Sequence, residues 1–395
     1  MKLAIDSLPL KKSLSQSTDY SGIQFFSLSH SALAESEITE VNSLTYECRL
    51  PSTMQWDDGS PVTGSDFLLG FKHLFAEKPL LRQLLFKDLK MMECKDDKIR
   101  FFLKKKNSFF SEILKMPFLT PAQSQLRGSS GAYRLDSQNE DQFLFSKQRS
   151  VPGPQEILLR HIQSPEDNMK AFLLGEIDIT SDTALPLHLD FQGLPVQRHE
   201  TGLFAGFEMS RRFYDLTSLD SRKSLQNLIS SVSFEHIHFG KYDSWTLPSE
   251  SNGKIEPCSI KIAFDPFYPN KEICTAVQEK LTAKGFKVEL AVDDYYQPYQ
   301  EYDLKFIIRR GLGAHPYFRY LSLIKEPGIY DNKATLKSLA RVYDSWERAE
   351  IDDAGAIYLC DHLLEDAASF IPLFKIPSLS LNRTLSENPL LKFLK

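Results

Sequence analysis

Residues Gln55–Phe75 read QWDDGSPVTGSDFLLGFKHLF. Trp56, two acids and Gly59 crowd into a turn, and Thr63 stands where a helix N-cap is wanted. Asp66 lies three residues on, an acid-for-Glu variant of the capping box. Phe67, Phe71, Leu74 and Phe75 then recur at helical spacing and predict one apolar face. The stretch therefore reads as a tight turn followed by a capped, half-buried helix. Turn formation and capping account for Asp57, Asp58 and Asp66 without a catalytic role. His73 is read as an exposed or packed residue of the same helix.

Outward from this stretch the chain reads as α/β. Met1–Ile5, Ile23–Leu28, Leu44–Leu50 and Ile99–Lys104 have the composition of short strands. The run Lys104, Lys105 and Lys106 reads as a solvent-facing edge rather than a phosphate site. Ser164 and Pro165 open a helix whose apolar face is Met169, Phe172 and Leu173. Gly175 closes it, and a strand is predicted at Ile177–Ile179. Ser259–Asp265 alternates as a strand, Pro269–Lys284 is helical through Ile273, Val277 and Leu281, and Gly285 precedes a strand at Phe286–Val292. That order predicts a right-handed βαβ unit with parallel strands. Asp303–Ile308 is the expected next strand of that sheet. Two helices follow, at about Asn332–Ala349 and Asp352–Ala368, and then a strand at Phe370–Ile376.

Composition narrows the function. At 395 residues the chain predicts two or three lobes. Apolar content of 42% and charged content of 25% are those of a globular protein, and a net charge of −5 offers no basic field for nucleic acid or anionic lipid. The 28 Phe residues are read as core before cleft lining. The five cysteines, Cys48, Cys94, Cys258, Cys274 and Cys360, are scattered and form no C-x-x-C, so neither a disulfide framework nor zinc is indicated. No G-x-S-x-G, Walker A, G-x-G-x-x-G or H-E-x-x-H occurs. Gly128–Tyr133 (GSSGAY) is read as a turn into a strand. His236 and His238, with Glu235 beside them, fall on one strand face without a convergent third ligand, so no metal is expected. The start, MKLAIDSLPLKKSLSQS, lacks a usable signal-peptide core. It fits either a cytoplasmic chain or one numbered after signal removal.

The order of residues in the opening stretch says more. Trp56, Asp58, Gly59, Pro61, Val62, Thr63, Asp66 and Phe67 resemble the W-(S/D)-D-G-x-P-(V/L)-T-A-x-D-F segment of the peptide- and nickel-binding class of ABC-transporter solute-binding proteins, with Gly64 in place of the usual Ala. Similar matches follow in order. Gly131–Leu135 (GAYRL) resembles G-(T/S)-G-P-Y-x-(L/V), with Ala132 for Pro, and Ala171–Ile179 (AFLLGEIDI) resembles A-L-x-x-G-E-(I/V)-D. Asp220–Leu225 is like D-x-R-V-R-x-A-L, Lys284–Val288 like (I/L)-G-(I/F)-x-V, and Ser369–Leu373 like P-x-(I/V)-P-L. The chain is shorter than usual members, before Trp56 and between Leu225 and Ile260. The resemblance implies a two-lobed periplasmic-binding-protein fold with an additional subdomain in lobe 1 and a ligand cleft between lobes. The expected division is 1–24, 116–213 and 371–395 for lobe 1, 25–115 for the inserted subdomain and 214–370 for lobe 2.

By that resemblance the chain is a non-enzymatic receptor without cofactor. It is expected to act as a periplasmic or extracytoplasmic monomer that captures a peptide or related small solute by hinge closure and hands it to ABC permease subunits. A cytoplasmic ligand sensor on the same fold is the alternative. The family's ligand acids are missing, however. Anchoring on Asp303, Leu304 and Pro316 puts Leu312 where the acid that holds a peptide's ammonium is expected, Arg309 at the Trp position and His315 at the acid before Pro. Arg309 or Arg310 could then clamp an anionic ligand, or both could point to solvent at a strand end. The candidate cleft residues are Phe204, Phe207, Met209, Arg309, Arg310, His315 and Tyr317.

Overall fold

The opening stretch folds around one carboxylate. In the computed structural model, Asp66 Oδ2 accepts hydrogen bonds from the Thr63 amide at 2.8 Å, the Thr63 hydroxyl at 3.0 Å and the Trp56 indole N–H at 3.4 Å. The acid thus ties the Trp56 turn to the first turn of the helix. The structure describes residues 1–9, 19–122, 129–149, 151–186, 188–234, 243–245, 255–293, 301–311, 313, 315–324, 333–384 and 386–393. Gly128, Glu235, His236, His238, Leu312 and Asn332 lie outside them.

The chain divides into two compact units: 1–185 with 193–199 and 378–395, and 186–192 with 200–377. In the first unit the elements are β1 (Lys2–Ile5), α1 (Tyr20–Ser29), β2 (Glu37–Asn42), β3 (Thr45–Arg49), α2 (Gly64–Glu77), α3 (Pro79–Leu85), β4 (Leu89–Lys95), β5 (Lys98–Leu103), α4 (Phe110–Leu114), β6 (Tyr133–Gln138), β7 (Gln142–Lys147), β8 (Glu156–His161) and α5 (Pro165–Leu173). They build two four-stranded sheets, ordered β1-β8-β7-β6 and β2-β3-β5-β4. In the first, β1 and β8 are parallel. The second carries the capped helix α2, whose Phe71 meets Phe86 and Phe101 at ring-centroid distances of 5.6 Å. Phe110 extends that edge-to-face cluster, so these phenylalanines are core.

Two glycines let α2 approach its neighbours. A Cβ on Gly70 would lie 2.0 Å from the Thr120 carbonyl oxygen, and one on Gly64 would lie 2.4 Å from Cys94 Sγ. The second distance explains the Gly that replaces Ala in the motif: in this chain a thiol fills the methyl's place.

Strand β9 (Val196–Met209) begins in the first unit and ends in the second, which continues with α6 (Arg211–Leu216), α7 (Leu219–Ser230), β10 (Asp243–Ser244), β11 (Ser259–Phe264), α8 (Asn270–Thr282), β12 (Lys287–Val292), β13 (Leu304–Arg310), α9 (Pro316–Ile324), α10 (Lys333–Glu347), α11 (Asp353–Ala367) and β14 (Phe370–Leu381). Its sheet runs β10-β14-β9-β13-β11-β12. β11, α8 and β12 form the expected βαβ unit, and β13 is parallel to β11 and antiparallel to β9.

Three local readings are corrected. Ile23–Leu28 is helical, within α1: Asp19 accepts the Gly22 amide at 2.7 Å, and residues 21–29 are buried on every side, so no helical period marks the sequence. Ile177–Ile179 makes only isolated bridges from Ile179 to Leu3 and Asn382. Leu173 is exposed, while Asn168 joins Met169 and Phe172 on the buried face of α5. The lysine run is exposed as expected, but β5 before it lies inside its sheet between β3 and β4.

Gly64→Ala should lower stability by about 1–2 kcal/mol through overpacking. Cys94→Ala in the same chain should restore most of it. A urea-denaturation double-mutant cycle measures the coupling; additive losses would show that Cys94 is not what excludes the methyl.

Candidate functional site

Strand parity sorts the candidate residues. Side chains alternate along a strand, and antiparallel partners share a face. Arg309 of β13 is opposite Phe204, and Lys305 is opposite Glu208, on one face of the sheet. Phe306 is opposite Phe207, Leu304 opposite Met209 and Arg310 opposite Leu203, on the other. The seven candidates therefore fall into three groups: Phe204 with Arg309, then Phe207 with Met209 and Arg310, and finally His315 with Tyr317 at the head of α9. Phe204, Phe207, Met209 and Tyr317 are fully buried core side chains. Phe204 packs edge-on against Trp245 and Phe370, and Phe207 against Phe306.

His315 caps the start of α9. Its Nδ1 accepts the Tyr317 amide at 3.2 Å, as a capping carboxylate would at a helix start with Pro316 in the first position. Nε2 then carries the proton toward Asp353 Oδ2, 3.2 Å away. Tyr317 donates its hydroxyl to Glu347 at 2.6 Å and lies against Tyr343 and Trp346.

Arg309 lies on a charged seam. Its Nη2 donates to Glu208 Oε2 at 2.7 Å with only 20% of the side chain exposed, and the Tyr302 hydroxyl donates to the other oxygen of Glu208 at 2.9 Å. Along the same face, Lys305 donates to Asp293 and lies 3.4 Å from Asp265. Asp265 and Asp293 immediately follow β11 and β12, at the carboxyl ends of parallel strands, where open α/β sheets bind ligands. Burial alone would pull the Lys305 ammonium pKa down, but the two carboxylates outweigh it and hold it above its ordinary value. Burial pushes the Asp265 carboxyl up despite the pull of Lys305. Burial and then the charge of Glu208 push up the Tyr302 phenol.

The seam's acids were missed from sequence, although a signal existed. In GLFAGFEMS, Glu208 interrupts an apolar strand between Phe207 and Met209, and in DLKFII Lys305 does the same. A charge inside an otherwise apolar, buried strand marks a face that needs a partner. Among the described residues, no three His, Cys, Asp or Glu side chains are grouped to hold a metal ion, and no helix is long and apolar enough to cross a membrane.

The family model for the bacterial extracellular solute-binding proteins, family 5, middle region, matches residues 30–223. Over residues 30–223 the chain belongs to family 5 of the bacterial extracellular solute-binding proteins. No curated protein matches it. Solved structures share the two-lobed α/β fold of this family. The Haemophilus influenzae OppA complex with RPPGFSPFR superposes with a TM-score of 0.79 at 14% identity, over 98% of this chain and 95% of that one. Staphylococcus aureus NikA with Ni(L-His)2 gives 0.75 at 11%, over 99% and 97%. AgaA with agropinic acid from A. tumefaciens R10 gives 0.74 at 13%, over 100% and 96%. At these identities the likeness fixes the family 5 fold and leaves the ligand to the residues of this chain.

Lys305→Met removes the cation that Asp265 and Asp293 share and should cost about 3 kcal/mol at pH 7. The stranded carboxyls would then have folded-state pKa values above their unfolded ones, so the fold favours their protonated forms. The deficit should accordingly shrink as pH falls from 7 to 5 in urea-denaturation curves. A deficit unchanged with pH would assign the loss to packing. In the unsubstituted protein the raised Lys305 value works the other way: its contribution is full below the unfolded lysine pKa of about 10.4 and is lost as pH rises through the folded value.

Proposed function

We propose that this chain is the extracytoplasmic receptor of an ABC importer, a monomer that captures a small organic solute carrying a free ammonium, a peptide first among them, and passes it to the permease subunits. Membership of family 5 supports the receptor role. Residues 25–115, with their own sheet, would be the subdomain inserted in lobe 1, and 214–370 the second lobe.

The ion pair between Arg309 and Glu208 carries the choice of ligand class. An anion clamp needs a guanidinium whose charge is not already neutralised, whereas Arg309 is paired with Glu208. Lys305 is likewise committed to Asp265 and Asp293. The described seam thus sets three carboxyl groups against two cations, and a solute that brings positive charge suits it better than one that brings negative. Glu208, Asp265 and Asp293 would supply, from neighbouring strands, the acidity that the family motif places at the positions of Leu312 and His315. Binding rather than turnover fits a seam in which each acid serves an ion pair.

Isothermal titration calorimetry with short peptides tests this reading. Peptides with free amino termini should bind at least about tenfold more tightly than their N-acetylated forms, a difference of roughly 1.4 kcal/mol. Acidic small molecules without an amine should bind no better to the unsubstituted protein than to Arg309→Ala. Tight anion binding that Arg309→Ala abolishes would overturn the ligand class.

A further inference from the structure

The first unit holds a polar cluster whose charges, unlike those of the seam, meet no cation among the described residues. Asp6 follows β1 at its carboxyl end, and Asp182 sits in the turn after Ile179, which bridges to Leu3 of β1. Asn168 on α5 fixes that turn: it accepts the Ser181 amide at 3.2 Å and donates to the Ala184 carbonyl at 2.6 Å. Tyr20 and Gln24, one turn apart on α1, donate to the two oxygens of Asp182, Gln24 from Nε2 at 2.8 Å. Asp182 is 6% exposed and Gln24 2%.

Among the described residues the hydrogen bonds to Asp182 come from neutral donors, Tyr20 and Gln24, and the groups that lower the Asp6 pKa are the neutral Ser181 and Thr183. Two buried acceptors, Asp6 Oδ1 and the carbonyl oxygen Gln24 Oε1, have no hydrogen-bond partner. Because the Gln24 amide nitrogen is bound to Asp182, its unpartnered oxygen stands beside the same carboxylate. Burial pushes the Asp6 carboxyl pKa up; Thr183 pulls against it and the charge of Asp182 adds to the rise, with no cation among the described residues to offset them. An unmet acceptor in a low-dielectric site costs stability unless a donor arrives. A group that brings both positive charge and several N–H bonds answers the charge and the orphaned acceptors together. Asp6 is partly exposed as a residue, while its Oδ1 is covered.

We infer that Asp6, Gln24 and Asp182 form a subsite for a primary ammonium group, with Asp182 as counter-charge and Asp6 Oδ1 and Gln24 Oε1 as hydrogen-bond acceptors. The inference rests on the receptor reading for its biological meaning, since it adds a cation-recognising position on the first unit, but its test does not depend on peptide binding.

Thermal unfolding is followed with methylammonium, tetramethylammonium, sodium and calcium chlorides at matched ionic strength. Methylammonium should raise Tm in a saturable way, and tetramethylammonium, which has the charge without N–H donors, should not. Asp6→Asn and Gln24→Met should each abolish the methylammonium shift; Asp6→Asn, which removes an unmet charge, should leave the basal Tm equal or higher, whereas Gln24→Met also takes the Nε2 donor from Asp182 and should lower it. Equal shifts with tetramethylammonium or sodium, a shift specific to calcium, or no shift at all would each overturn the subsite. Free-amine peptides that bind while methylammonium fails would reject the subsite and leave the receptor reading standing; methylammonium binding without peptide binding would do the reverse.

Discussion

A cation on the face of a buried sheet must carry its counter-charges with it, and Lys305 meets that requirement through residues from two other strands. Its ammonium joins β13 to the carboxyl ends of β11 and β12, drawing on Asp265 and on Asp293, whose side chain is wholly buried. Desolvation would expel such a charge unless pairing exceeded it, so the ion pairs constrain both register and chemistry. The same logic extends along the face to Arg309 and Glu208. What the second unit offers a solute is set by which of these charges are already balanced.

The two clusters, one in each unit, manage buried charge in opposite ways. In the second, each seam cation has a carboxylate. In the first, Asp182 and Asp6 are met by hydroxyls and an amide, and two acceptors stay unmet among the described residues. A fold selected only for stability would fill such a site with apolar groups or add a cation. Retaining the polar demand makes sense where a donor is supplied from outside, and both units place their acids after the carboxyl ends of parallel strands, the position from which α/β sheets recognise ligands.

The elements legible in the sequence were those fixed by neighbours along the chain. The Thr63–Asp66 box and the β11-α8-β12 unit depend on contacts a few residues apart or on strong periodicity, and both were readable. Helix α1 was not, because burial on all sides erases the helical period and leaves an apolar run that reads equally as strand. The candidate site suffered more. The partner of Arg309 is 101 residues away in sequence, and that of Gln24 is 158. No local pattern announces such pairs, although alternation in GLFAGFEMS does separate Glu208 from Phe207 and Met209. His315 shows a further limit: in sequence it read as a candidate cleft residue, and in the structure its imidazole caps the start of α9.

On the proposed reading, balanced cations and a surplus of carboxyl groups select a solute with a free ammonium. Native mass spectrometry of the purified protein, with release and fragmentation of whatever co-purifies, bears on this without a prior choice of ligand. A small solute bearing a primary amine, lost on unfolding, is expected. An anionic solute with no amine, retained in its place, would contradict the proposed selection.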